Sequence, residues 1–131
     1  MLTIADLEDL ARTRLHEATA LFIARQFDGS SYLSGYAVEL ILKARICVHL
    51  DWMGYPDTRK EFEKYTSLRT HHLETLLDLT GLQRKVRTKY DQYWSNISEW
   101  SAEDRYRPSG FVSEEIARAR VASASFLVRN L

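Results

Sequence analysis

Cysteine is almost missing: Cys47 is the single one in 131 residues. One thiol cannot close an internal disulfide or build a multi-cysteine zinc or iron–sulfur site. It sits in an apolar run and reads as buried and inert; a reducing, cytoplasmic location fits that usage. Proline numbers two and glycine five. That is too little turn material for an all-β sandwich or barrel. Net charge is also lacking, since 18 Lys and Arg balance 18 Asp and Glu. A globally basic nucleic-acid binder is disfavoured, while a local basic patch is not. No long hydrophobic run exists. The best stretch, Ala37–Val48, is broken by Glu39, Lys43 and Arg45, and falls short of the roughly 20 residues a membrane span requires. The opening MLTIADLEDLARTRLHEA has early acids and no apolar block, which is unlike a secretory signal. There is no G-x-G, H-E-x-x-H or G-x-S-x-G, so the usual phosphate-loop, zincin and hydrolase signatures are missing.

What is present is apolar content and helical period. Hydrophobic residues make up 45% and aromatics 11%, enough for one core in one domain over 1–131. Ile4–Gln26 places Leu7, Ala11, Ala18 and Phe22 on one stripe, with Thr3 as cap and Asp6 three residues on. Asp28-Gly29-Ser30 breaks the pattern, and Gly29 can take the left-handed conformation that commonly ends a helix. Ser31–Trp52 is apolar on most of its sides, which predicts the central helix of a bundle. Gly35 within it suits a close helix crossing. A short helix over Arg59–Tyr65 follows, then His71–Leu79 capped by Thr70, then Gln83–Glu99. Trp100–Gly110 is polar and irregular. Ser113 caps the last helix, with Glu114 and Glu115 in its first turn. The small residues of that helix suit close packing and a dimer surface. No strand alternation is visible. The expected class is all-α: an up-and-down bundle of four to five long helices plus one or two short ones.

Three segments, in chain order, carry a resemblance. SSYLSGYAVELILKARICVHL, THHLETLLDLTGL and WSAEDRYRP resemble the HEPN domain (higher eukaryote and prokaryote nucleotide-binding). In that family a helix like G-Y-A-x-E-x-x-L-K-A precedes H-x-L-x-x-L and a W…RY segment. The likeness spans nearly the whole chain. It implies a helical bundle, often a homodimer, often encoded beside a small nucleotidyltransferase as toxin or partner. Some members are ribonucleases that carry Arg, four to six residues, then His. Here three residues separate Arg12 from His16 and Arg45 from His49, and Arg69 lies still closer to His71 and His72. The resemblance therefore implies a member without that motif: non-enzymatic, dimeric, associating with a nucleotidyltransferase-type partner, with a nucleotide as an expected ligand. Two other readings stay open. One is a divergent, metal-independent ribonuclease using Arg45 with His49, or Arg105 with His71. The other is an RNA- or nucleotide-binding module using a basic helix face.

The candidate residues admit structural readings too. Glu39 and Lys43, four apart, form an ion pair or the polar floor of a ligand pocket; Arg105 is expected to join them. His71 and His72 open a helix, as caps or as ligand contacts. The H-x-L-x-x-L register fits His71 through Leu73 and Leu76, with His72 beside it. Two adjacent histidines point apart on a helix, so no metal is expected, and no cofactor either. Trp100, Arg105 and Tyr106 read as a stacking and phosphate-binding set, or as a loop pinned to the bundle. Arg84, Lys85, Arg87 and Lys89 read as a solvated face, or as a contact for RNA or an acidic partner.

Overall fold

In the computed structural model, all 131 residues are described. The capping box at Thr3 forms: the Asp6 amide donates to the Thr3 hydroxyl at 3.1 Å, and the Thr3 amide donates to the Asp6 carboxylate at 3.0 Å. It starts α1 (Ile4–Ile23). The break after α1 differs from expectation. Arg25, not Gly29, takes the left-handed conformation (φ 60°). The Gln26 amide reaches back to the Leu21 carbonyl at 2.8 Å, as helix-ending turns do. The second helix, α2 (Phe27–His49), therefore begins earlier and runs through Gly29. A Cβ at Gly29 would lie 3.1 Å from Leu21 Cδ1, so this glycine serves the α1–α2 crossing rather than a turn.

Of the 23 residues of α2, 13 are buried. It packs on α1, on α4 (Leu73–Leu79) and on α7 (Glu114–Asn130). This is the central rod that its apolar sides predict. Cys47 is fully buried in it, and burial pushes the thiol pKa up, which keeps it unreactive. Around this frame lie α3 (Arg59–Phe62), α5 (Gln83–Lys89) and α6 (Asp91–Ile97). Single 3₁₀ turns form at Thr66–Leu68 and Ala102–Tyr106. The architecture is an all-α helical bundle. Its long helices are α1, α2 and α7, at 20, 23 and 17 residues.

The expected Gln83–Glu99 helix is split at Tyr90, whose backbone (φ −120°, ψ 21°) leaves the helical range. The break turns α6 onto α7. Tyr93 stacks on Phe126 at 3.8 Å between centroids, and Tyr90 meets the same ring edge-on at 4.9 Å. The small residues of α7 divide: Ala117, Ser123 and Ala124 are buried, with Ser123 Oγ accepting from Asn96 at 3.1 Å, while Ala119 and Ser125 are half-buried and Ala122 is exposed. One strand pairing escaped notice. Leu2–Thr3 (β1) pairs antiparallel with Gly54–Tyr55 (β2), Leu2 opposite Tyr55. Two residues are too few to show alternation.

Gly35 does mark a close approach, but to an indole rather than a helix. A Cβ there would sit 2.2 Å from the Trp100 ring. The Trp100 Nε1–H donates to the Tyr32 carbonyl at 3.1 Å. Gly35→Ala is therefore expected to lose about 1–3 kcal/mol through overpacking. Urea denaturation followed by circular dichroism checks this; unchanged stability would mean that the indole has room to move.

A buried carboxylate and the pocket above it

Glu39 projects from α2 and is 1% exposed. A carboxylate removed from water must be compensated, and two partners do so. Lys43, one turn on, donates to Oε2 at 2.9 Å. His71, just before α4, brings Nδ1 to 3.0 Å from both oxygens. A carboxylate only accepts, so Nδ1 carries the proton, and in the neutral ring Nε2 is left as an acceptor. The His71 side chain is 58% exposed, so that second nitrogen belongs to a ring open to solvent.

Neighbouring elements shape the space. Lys43 Nζ lies 5.2 Å from the Tyr55 ring centre. The Tyr55 hydroxyl donates to the Leu68 carbonyl at 2.6 Å, which fastens β2 to the segment leading into Arg69. Burial pushes the Tyr55 pKa well up. Burial also raises that of Tyr36, with the nearby Glu39 charge adding to it. Tyr36, Glu39, Lys43, Tyr55, Arg69 and His71 line a pocket of about 270 Å³. A second pocket of about 300 Å³ adjoins it and shares Arg69, Thr70 and His71. Arg69 is exposed and pairs with no carboxylate, while Lys43 and His71 both spend their charge or proton on Glu39.

His72 is the true cap of α4. Its Nδ1 accepts from the Thr75 amide at 3.4 Å and lies 2.9 Å from the Thr75 hydroxyl. Thr70, expected as the cap, instead accepts from the His72 amide at 3.1 Å. Adjacent histidines thus divide the work: His71 turns to Glu39 and His72 caps the N-terminus of α4.

Arg105 does not join Glu39 and Lys43. It sits 4.8 Å over the Tyr106 ring, and the Tyr32 and Tyr106 hydroxyls hold its pKa above the ordinary value. The reason is Trp100. Its indole is anchored on Tyr32 and Gly35, in the first half of α2, and holds the following turn there. His71 fills the place expected for Arg105. Trp100 is 3% exposed; it is core and borders the second pocket rather than offering a free stacking face. Tyr106 is 72% exposed.

The remaining candidates separate. Arg45 pairs with Glu8 on α1, whereas the exposed His49 lies against Gly81, after α4. They address different neighbours. Arg87 bridges Glu74 at 2.8 Å and Asp78 at 3.3 Å, which pins α5 to α4. Arg84, Lys85 and Lys89 stay exposed, with Lys85 Nζ 5.5 Å over the Tyr90 ring. Sequence reading missed Arg69, Tyr36 and Tyr55. Tyr36 was legible, being three residues before Glu39 on one helix. Arg69 lies in irregular chain and Tyr55 in a two-residue strand, where no period points to them. The chain matches no family model, no curated protein and no solved structure.

Removing the buried charge tests the arrangement. Glu39→Ala strands Lys43, whose side chain is 14% exposed, and is expected to cost about 3–5 kcal/mol. His71→Ala removes a half-solvated partner and is expected to cost at most about 1 kcal/mol. Denaturant midpoints for both variants check this; equal losses would contradict it.

Proposed function

We propose that this chain is a non-enzymatic HEPN-like helical protein that works by association. It binds a nucleotide at the Glu39–His71 pocket, pairs with a second copy of itself, and serves a nucleotidyltransferase-type partner. One observation carries the reading. The three segments that resemble the family meet around one point: Trp100 of the third packs on Gly35 of the first, and His71 of the second clasps Glu39 of the first.

The chemistry supports a phosphate-bearing ligand. Arg69 is a planar guanidinium with its donors unspent, suited to a phosphate. His71 adds a ring nitrogen at the same rim, and Tyr36 adds a half-buried aromatic wall. The chain's exposed large hydrophobics support association. Val48, Leu50 and Met53 follow one another at and beyond the end of α2, at 54%, 41% and 84% exposure, and Tyr65 stands against Trp52 nearby at 4.9 Å between ring centres. Apolar side chains gathered on a surface mark contact sites.

Calorimetry with ATP and AMP tests the ligand. Binding is expected for the native chain, with at least about a tenfold loss in Arg69→Ala, equivalent to roughly 1.4 kcal/mol. Absence of heat for every nucleotide would remove the ligand part. Light scattering behind size exclusion tests self-association; a strict monomer at high concentration would remove it.

A further inference from the structure

Arg69, Thr70 and His71 form a ridge with a cavity on each side, one of about 270 Å³ and one of about 300 Å³. Each alone is at or below the low end of the roughly 300–1,000 Å³ usual for a small-molecule site. Taken together they fall within it. The ridge carries the one unpaired cation in this region, Arg69. From this geometry we infer that the ligand of the proposed nucleotide site is a phosphodiester, with its phosphate on the ridge and one organic group in each pocket. The inference rests on the nucleotide reading and deepens it.

Charge matching favours a diester over a monoester. A phosphodiester carries one negative charge; a phosphate monoester carries about 1.5 to 2 at neutral pH. Lys43 and His71 are committed to Glu39, and Asp57 of the first pocket is committed to the chain's amino group at 2.9 Å. One guanidinium remains, which suits one negative charge. Glu103 lines the second pocket and is exposed, so a second phosphate charge would meet a carboxylate. The walls suit two organic groups. Tyr36, Pro56 and Phe62 give the first pocket apolar and aromatic surface. Ser101 and Glu103 give the second one polar groups able to accept from a sugar or base.

The test compares two probes on the full chain by calorimetry: AMP, and two adenosines joined by a single phosphate. The diester is expected to bind at least about tenfold more tightly, a difference of one decade in Kd. Glu103→Trp, a change at an exposed position, is expected to fill the second pocket. It should weaken the diester and so remove its advantage, whereas AMP, relieved of the Glu103 carboxylate, is expected to bind at least as tightly as before. Equal affinities for the two probes, or an advantage that survives Glu103→Trp, would overturn the diester inference while leaving a nucleotide site standing. Failure of both probes to bind would overturn the site and the inference together.

Discussion

Everything local to the proposed site depends on one negative charge placed where water cannot reach it. Glu39 sits in the most buried helix of the bundle, and its carboxylate is tolerable only because Lys43 and His71 surround it. The partners are unequal. Lys43 comes from the same helix and is nearly buried, so it neutralises the charge. His71 comes from across the core and remains half in solvent. The clasp thus does two things at once. It ties the start of α4 to the middle of α2, and it fixes which face of an imidazole meets the pocket. Such buried pairs give little net stability against an apolar substitute; their contribution is to orient.

The same economy recurs where the chain is irregular. The segment between α6 and α7 has few apolar anchors and is held by polar ties. Asp28 accepts from the Gly110 amide at 2.6 Å and the Val112 amide at 3.0 Å. Arg120 donates to Ser31 at 2.7 Å and lies 3.9 Å from Asp104; its burial draws its pKa down. With Trp100 seated against Gly35, these ties set the wall of the second pocket. The loop geometry therefore follows from α2 as much as the first pocket does, because Asp28, Ser31 and Gly35 all belong to it.

Sequence reading succeeded where a period exists. The burial of α2, the capping box at Thr3, the Ser113 cap of α7 and the Glu39–Lys43 pair are all local, with spacings of three or four residues that a helix turns into contacts. It failed where contacts are long-range. That Arg105 would reach Glu39 was inferred from chemistry alone, and the seat of one indole decides otherwise. The split at Tyr90 has a similar cause: nothing nearby in sequence breaks that helix, and the stacking of Tyr93 on Phe126 lies beyond any local pattern. Arg69 stayed hidden because its importance comes from what it lacks, an acidic partner, and only three-dimensional neighbours reveal that.

The central claim is that the buried carboxylate dictates the protonation geometry of His71. Nitrogen-15 shifts and ring couplings of His71, recorded by NMR at a pH where the ring is neutral, test this most directly. The expected result is a proton on Nδ1 and a bare Nε2, with that preference lost in Glu39→Gln. A ring carrying its proton on Nε2, or one exchanging freely between both forms in the native chain, would contradict the account.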